Sequence, residues 1–340
     1  MGFNWTTFSE QLVNGITVGS FYALIALGYT MVYGVLTMIN FAHGEIYMMG
    51  SYIGLYTLNL MMNAGWYDAS PLLVIVLTFL AGTVASAMTG VTVERLAYRP
   101  LRRAARLAPL ISAIGTSIFL QEFVRLLPDM VNGIVSIKVG SHALVPQVVQ
   151  KAIVDQFKSF GGAAVKTYPG VFPKSGFELA GLYISYSRLI VVVISILVMV
   201  ALYLLVQYSR LGRAMRAVSE DKDTAALMGI NVDRVISRTF LIGSALAGVA
   251  GVMMGMFYLQ IRPTMGFVPG IKAFTAAVLG GIGSIPGAML GGYLLGLAEV
   301  IGVQFLPAVY KDVVAFSLLV LMLIFMPTGI LRAQLTEKKM

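Results

Sequence analysis

The chain has 340 residues, of which 58% are hydrophobic and only 11% are charged. A soluble domain has about 25% charged residues, so this composition excludes the soluble classes and predicts a membrane protein. The 24 basic and 15 acidic residues give a net charge of +9, which would favour nucleic acid as the partner of a soluble protein. Here the basic residues collect between apolar runs, as in orienting loops, so we predict no nucleic-acid partner.

The apolar runs predict an all-α fold, a polytopic bundle of transmembrane helices over residues 1–340. A helix that crosses roughly 30 Å of hydrocarbon needs about 20 apolar residues, and about eight runs qualify. These runs cover residues 11–37, 41–62, 71–92, 107–127, 188–207, 236–259, 285–304 and 309–326. The Gly-rich stretch 267–286 is apolar but interrupted, and a broken or re-entrant helix there would raise the count to nine.

The first span has a face of small residues, Gly15, Gly19 and Ala23, which predicts close helix packing. The chain begins without the positive leader of a secretory signal, so we expect this segment to be retained.

A polar cluster lies at the junction of the first two spans. An ionisable residue at bilayer depth costs about 2.5–3.5 kcal/mol, which favours a function for Glu45. A turn in the headgroup region is the alternative, because the cost largely vanishes there. The candidate lining of a translocation pathway is Tyr22, Asn40, His43, Glu45 and Glu299.

The basic residues predict the orientation. No Lys or Arg precedes Arg95, and five arginines then fall within residues 95–106. The positive-inside rule assigns this loop, segment 208–238 and the basic tail 332–340 to the cytoplasm. Segment 128–187 and the N-terminus are then external.

The external segment 128–187 contains an insertion that is predicted to be loosely structured, apart from one amphipathic helix over residues 145–160. The apolar face of that helix consists of Val149, Ile153, Val154 and Phe157. A surface for an external partner and a tolerated insertion are both compatible with this pattern.

The cytoplasmic segment 208–238 has its own helical signals. Asp223 is predicted to cap a short helix over residues 224–228, and Gly229 to end it in a left-handed conformation. Such an apolar knob flanked by charges could dock into a groove on another protein, and a solvated loop is the alternative. The candidate docking residues are Arg213, Arg216, Asp221, Asp223, Ala226, Leu227 and Gly229.

Glycines near the C-terminus recur every four residues, which predicts faces where other backbones approach closely. They form two rows, Gly283, Gly287 and Gly291 in one and Gly292 and Gly296 in the other. Pro286 cannot lie inside a hydrogen-bonded helix, so a break is expected there.

Few charges lie within the spans. Glu122 and Arg125 are three residues apart on one helix and are predicted to form a local pair. Glu299 has no partner nearby in the sequence.

Catalytic and metal sites are not indicated. The chain has no cysteine and two histidines, which argues against a metal centre. No nucleophile, base and orienting residue are grouped, so we predict no catalytic residue. The phosphate-binding pattern G-x-x-x-x-G-K-[ST] does not occur, so we predict no cofactor in this chain.

Three stretches together resemble one known family over nearly the whole chain. They are the N-terminal residues 14–52, the run TAAVLGGIGSIPGAMLGGYLLGLAE and the loop EDKDTAALMGINVDRV. The sequence is similar to the permease subunits of high-affinity branched-chain amino acid ABC importers, specifically the first of the two paired permeases. Around residues 139–175 the outer segment is enlarged relative to the family pattern.

The resemblance implies a multi-pass permease in the lipid of the bacterial inner membrane that translocates leucine, isoleucine or valine. Its partners would be a homologous second permease, two ATPase subunits that hold ATP, and a periplasmic amino-acid-binding protein. The cytoplasmic loop would contact the ATPases, with Asp221, Asp223, Ala226 and Gly229 at matching positions. Related permeases carry urea, short amides or other amino acids.

Two alternatives remain at this point. A proton-coupled secondary amino acid carrier would use Glu45, Glu122 and Glu299, and it predicts uptake by this chain alone. A passive channel would agree with the glycines but would leave the capped cytoplasmic helix unexplained.

Overall fold

The computed structural model describes residues 5–102, 104–105, 107–136, 138–139, 142–143, 146–173, 175–179 and 182–331. Within them the chain forms thirteen α-helices and six short strands. The helices are α1 (Trp5–Leu36), α2 (His43–Asn63), α3 (Trp66–Ala69), α4 (Pro71–Val93), α5 (Leu107–Val135), α6 (Gln147–Phe160), α7 (Tyr186–Tyr208), α8 (Arg210–Glu220), α9 (Lys222–Leu227), α10 (Val232–Tyr258), α11 (Phe267–Gly280), α12 (Ile285–Phe305) and α13 (Lys311–Phe325). The strands are β1 (Lys138–Val139), β2 (His142–Ala143), β3 (Lys166–Thr167), β4 (Gly176–Leu179), β5 (Leu182–Ser185) and β6 (Gln260–Ile261). A π-helical turn (Glu94–Tyr98) and two 3-10 turns (Arg99–Leu101 and Ala308–Tyr310) complete the helical elements.

The predicted all-α transmembrane bundle is confirmed. Seven helices in the described part of the chain are long and apolar enough to cross a membrane. Each of the eight predicted spans coincides with a long helix, including α2 with 21 residues. The largest difference is in α5, which continues to Val135, beyond the predicted end at residue 127. Pro128 lies inside this helix and is buried.

The predicted small-residue faces pack helices against one another. A Cβ atom at Gly19 would lie 2.8 Å from the Cα atom of Tyr293, and one at Gly292 would lie 2.6 Å from the Cβ atom of Ala23. Residues early in α1 therefore meet residues late in α12, and the two helices run antiparallel. Any side chain at these glycines would force the backbones apart.

A sharp turn separates α11 from α12, as the position of Pro286 predicts. Gly281 and Gly283 have φ angles of 104° and 99°, which lie in the region that favours glycine. Ser284 then caps α12, its Oγ accepting a hydrogen bond of 3.2 Å from the backbone N–H of Gly287. Pro286 lies in the first turn of α12, where a backbone N–H would have no acceptor within the helix.

The core of the bundle lies around α1 and α10. In the apolar stretch of α1, 89% of residues are buried, against 67% in α10 and only 6% in the span that ends with α13. Helices α4, α5 and α7 also carry many exposed leucine, isoleucine and valine side chains. The inner helices are therefore shaped by contacts within the chain, and the outer helices present apolar surface to lipid or a partner.

Contacts between loops distinguish the two ends of the bundle. Asp233 at the start of α10 binds the guanidinium groups of Arg99 at 2.6 Å and Arg102 at 2.5 Å. Two segments assigned to the cytoplasm thus meet at one end, which we call the cytoplasmic end. The end that carries α6 and β3 is called the external end. Arg103, Arg106 and the tail 332–340 lie outside the described residues.

The second half of the external segment packs against the bundle. The prediction of a loosely structured insertion is wrong for this half. Strand β3 pairs antiparallel with β6, and the backbone N–H of Tyr168 donates to the carbonyl of Leu259 at 2.9 Å. The Tyr168 ring is 1% exposed and fills the space beside Gly54 and Gly255. Backbone pairing and a buried aromatic side chain fix the position of this segment.

The predicted amphipathic helix of the external segment is present as α6. Val154 is buried, but Val149 and Phe157 are 46% and 37% exposed. The predicted apolar face is thus only partly covered by the bundle. Phe160, the last residue of α6, packs against the rings of Tyr52 and Tyr56.

Candidate functional site

The cytoplasmic segment folds as two helices, α8 and α9, joined by a capping aspartate. The Asp221 carboxylate accepts hydrogen bonds of 2.8 Å from the backbone N–H groups of Asp223 and Thr224. The predicted cap at Asp223 is therefore wrong, because the extended backbone at Asp221 lets its carboxylate reach both N–H groups. The predicted left-handed Gly229 is confirmed, with φ of 84°.

The tip of this segment is apolar and exposed. Leu227 and Met228 are 87% and 79% exposed, whereas Ala225 is buried beneath them. Ala226 is also exposed. Two large apolar side chains side by side at the tip of a capped helix are a feature of binding surfaces.

Two candidate docking residues, Arg213 and Arg216, bind the end of the preceding span. Arg213 donates to the carbonyl of Tyr208 at 3.0 Å. Arg216 donates to the carbonyls of Val206 and Gln207. These carbonyls end α7 and would otherwise lack partners, so the arginines cap that helix electrostatically.

Helix α9 also contacts the first span. The ammonium group of Lys222 donates to the carbonyl of Leu36, the last residue of α1, at 3.4 Å. A displacement of α9 would therefore act directly on the most deeply buried span.

Asn40 lies in the reversal between α1 and α2. Its side-chain oxygen accepts a hydrogen bond of 2.9 Å from the Tyr98 hydroxyl and one of 3.1 Å from the backbone N–H of Ala42. The Tyr98 hydroxyl links this turn to the π-helical turn that follows α4. Asn40 thus stabilises the turn that starts α2.

His43 packs against α1. Its ring is fully buried and meets the Tyr29 ring with 4.8 Å between centroids. The imidazole also occupies the space above Gly28, where a side chain would collide with it.

Glu45 faces α5. Its Oε1 atom accepts hydrogen bonds of 2.7 Å from the Gln121 amide and 3.3 Å from the Ser117 hydroxyl. Its Oε2 atom has no hydrogen-bond partner among the described residues, although the side chain is fully buried. The three polar residues at the predicted junction therefore contact three different neighbours instead of forming one cluster.

The structure brings Glu299 and Tyr22 together. The Tyr22 hydroxyl donates to Oε2 of Glu299 at 2.7 Å, and the Lys272 ammonium binds Oε1 at 2.8 Å. Lys272 also binds the Asp312 carboxylate at 2.6 Å. Three buried helices and the start of α13 thus meet in one ion-pair network.

Sequence reasoning missed Lys272 in this network, although a signal was present. Lys272 and Glu299 are the sole Asp, Glu, Lys or Arg residues from Pro263 to Tyr310. Two isolated opposite charges in one apolar stretch indicate a pair, since either alone would be costly in the bilayer. The pair that was predicted, Glu122 with Arg125, is confirmed at 3.1 Å.

A family model described as "Branched-chain amino acid transport system / permease component" matches residues 11–323. The chain belongs to this family. It is 49% identical to the high-affinity branched-chain amino acid transport system permease protein BraD of Pseudomonas aeruginosa, over 97% of this chain and 98% of BraD. It is 46% identical to LivH of Salmonella typhimurium and 44% identical to LivH of Escherichia coli K12, each over 97% of both chains.

Family membership confirms the predicted resemblance and favours a permease component over the proton-coupled carrier. The fold agrees, because this permease is a multi-pass bundle with seven helices that meet the criteria for a span in its described part.

Proposed function

We propose that this permease is one half of the membrane pore of an ATP-driven importer of leucine, isoleucine and valine in the bacterial inner membrane. Its partners would be a homologous second permease, two ATPase subunits and a periplasmic amino-acid-binding protein. The names of the relatives support the substrate class, since BraD and LivH are described as high-affinity branched-chain amino acid permeases. ATP would bind to the ATPase subunits, because the sequence lacks a phosphate-binding loop.

The exposed apolar tip of segment 208–238 is the observation that carries this proposal. Leu227 and Met228 project from the cytoplasmic end, next to Ala226. An ATPase groove that accepted them would bury apolar surface worth about 1.5–3 kcal/mol for each large side chain. Lys222 links this tip to the end of α1, so ATP-driven motion of the ATPases would tilt the inner helices and alternate access.

The proposed pathway retains three of the five candidate residues. Asn40 and His43 are engaged in a turn and in packing against α1, as described above. Tyr22 and Glu299 line a cavity, and we retain them, with Glu45, as pathway residues. None acts as a catalyst in this proposal.

Ala226→Asp tests the docking step. The exposed position tolerates aspartate in the folded bundle, but a buried, unpaired carboxylate in the ATPase groove would be costly. We expect normal insertion and ATP hydrolysis that no longer drives leucine uptake in proteoliposomes of the whole transporter. Ala105→Asp, another exposed cytoplasmic alanine next to the start of α5, is the charge-matched control and should transport normally. Normal uptake by Ala226→Asp would refute docking through this tip.

Uptake by the reconstituted components tests the wider proposal. Leucine uptake should require ATP and the binding protein together. Uptake by this chain alone without ATP would favour the carrier or the channel over the importer.

A further inference from the structure

A cavity of about 420 Å³ lies next to the Lys272 network. Its walls include Gln260 and Ile261 of β6, together with Val165, which precedes β3. Because β3 and β6 belong to the external end, the cavity is on that side of the bundle. Its volume is within the range of about 300–1,000 Å³ that is typical of small-molecule sites.

The deep part of the cavity is lined by Tyr22, Lys272 and Glu299. Lys272 is 3% exposed and Glu299 is 8% exposed, measured on the side chains. Both are already paired with each other, and the Tyr22 hydroxyl binds the second oxygen of Glu299. A ligand would therefore contact side chains that are held in place and whose opposite charges already compensate one another.

The rim of the cavity has unmatched positive charge. Arg262 and Lys311 line it and are exposed. Neither forms an ion pair with any residue that the structure describes. Asp312 is also on the rim, where 42% of its side chain is exposed and Lys272 is its ion-pair partner. A carboxylate ligand would gain charge-assisted hydrogen bonds from the two free cations.

One wall of the cavity is apolar. Val18, Met254, Met265 and Val268 contribute to it. Unbranched methionine side chains adapt to aliphatic groups of different shape. The cavity thus combines free cations, a half-exposed carboxylate and an apolar wall.

We propose that this cavity binds an aliphatic α-amino acid in its zwitterionic form. The ligand carboxylate would bind Arg262 and Lys311, its ammonium group would bind the exposed side of Asp312, and its side chain would contact the apolar wall. The identity of the ligand rests on the proposed function, because an aliphatic amino acid is the solute proposed there. The site would receive the solute at the external end before it crosses the bundle.

Cysteine protection tests the site directly, since the chain contains no cysteine that would give background labelling. Thr264 lines the cavity and is exposed. The test uses Thr264→Cys in the transporter of both permeases and the ATPases, without ATP or the binding protein, and a small, membrane-impermeant methanethiosulfonate. L-leucine should slow modification, whereas 4-methylpentanoate, which lacks the ammonium group, and 3-methylbutylamine, which lacks the carboxylate, should protect at much higher concentrations. Ala64→Cys, exposed between α2 and α3, is the control that leucine should not protect.

Changes at the rim test the assigned contact. Arg262→Gln in the Thr264→Cys background should raise the leucine concentration for half-protection by at least about tenfold, the lower limit for losing one hydrogen bond to a charged group. Arg262→Lys should restore part of the affinity because the charge returns without the forked geometry. Arg262 is exposed and forms no ion pair with the described residues, so its replacement should leave the fold intact.

Three results would overturn the inference. They are absence of leucine protection, equal protection by the analogue without a carboxylate, and unchanged protection in Arg262→Gln. If Arg262→Gln weakens association with the binding protein but leaves protection unchanged, the rim is a docking surface instead. ATP-driven leucine uptake by the whole transporter is measured in parallel. Normal uptake without protection refutes this site alone, whereas loss of uptake with all wild-type components refutes the proposed function.

Discussion

Two buried carboxylates in the same bundle have opposite surroundings. Glu299 binds a cation and a hydroxyl, with both oxygens engaged. Glu45 binds an amide and a hydroxyl through one oxygen, and no basic side chain of the described residues lies within ion-pair distance. The difference shows that burial alone does not define a carboxylate site in a membrane protein.

The surroundings predict different roles. A carboxylate that is neutralised by a buried lysine is fixed in place, and removal of its partner leaves a charge without compensation. A carboxylate that has only neutral donors depends on their number and geometry. Substitutions that remove one partner at a time can therefore separate the two sites.

Lys272→Met should give the largest effect. It leaves both Glu299 and Asp312 without their cation, and loss of one partner from a buried pair costs about 3–5 kcal/mol. The free energy of unfolding in mixed micelles measures this loss. Lys272→Met with Glu299→Gln should recover much of it, because the double variant removes the uncompensated buried charge. A single variant as stable as the wild type would show that the network is hydrated.

Gln121→Leu should have the next largest effect. It removes the 2.7 Å donor and leaves Glu45 with the longer contact to Ser117. Hydrogen bonds to charged groups contribute about 1.5–3 kcal/mol, so a loss of this size is expected in the same assay. The substitution should cost less in a Glu45→Gln background, and equal costs in both backgrounds would mean that the amide does not stabilise the carboxylate.

The helices of this fold were predictable because the bilayer fixes their length. A run of about 20 apolar residues has few alternatives to a span, and the eight predicted runs coincide with helices. Glycine spacing also predicted that α1 and α12 each have a face for close packing, since small residues at every fourth position lie on one helix face. These predictions depend on neighbours along the chain.

Partners that are distant in the chain were not predictable in the same way. Glu299 binds Tyr22, 277 residues away, and Glu45 binds Gln121, 76 residues away. Sequence spacing marks such residues as unusual but does not state which helices lie side by side. The mistaken cap at Asp223 has a local cause, because Asp221 and Asp223 are both good capping residues and the backbone angles decide between them.

Tyr22→Phe should have a smaller effect than Gln121→Leu, although each removes one 2.7 Å hydrogen bond to a buried carboxylate. Glu299 keeps Lys272 as its partner, and the phenyl ring preserves the packing of α1. Hydrogen bonds to charged groups contribute about 1.5–3 kcal/mol, and we expect a loss at or below the lower end of this range because Lys272 still compensates the charge. A loss larger than that of Gln121→Leu would reverse the comparison between the two sites.

Glu45→Gln should have the smallest effect and should not destabilise the bundle. The amide oxygen can still accept from Gln121 and Ser117, and a buried neutral amide costs less than a buried carboxylate. We expect a change in unfolding free energy between zero and about 1 kcal/mol in the stabilising direction, by analogy with buried ionic groups replaced by neutral ones. Leucine uptake by the whole transporter, measured on the same variant, then reports on function alone. Unchanged stability with reduced uptake would identify Glu45 as a pathway residue, whereas unchanged stability with normal uptake would leave the Lys272 network as the sole candidate of the two.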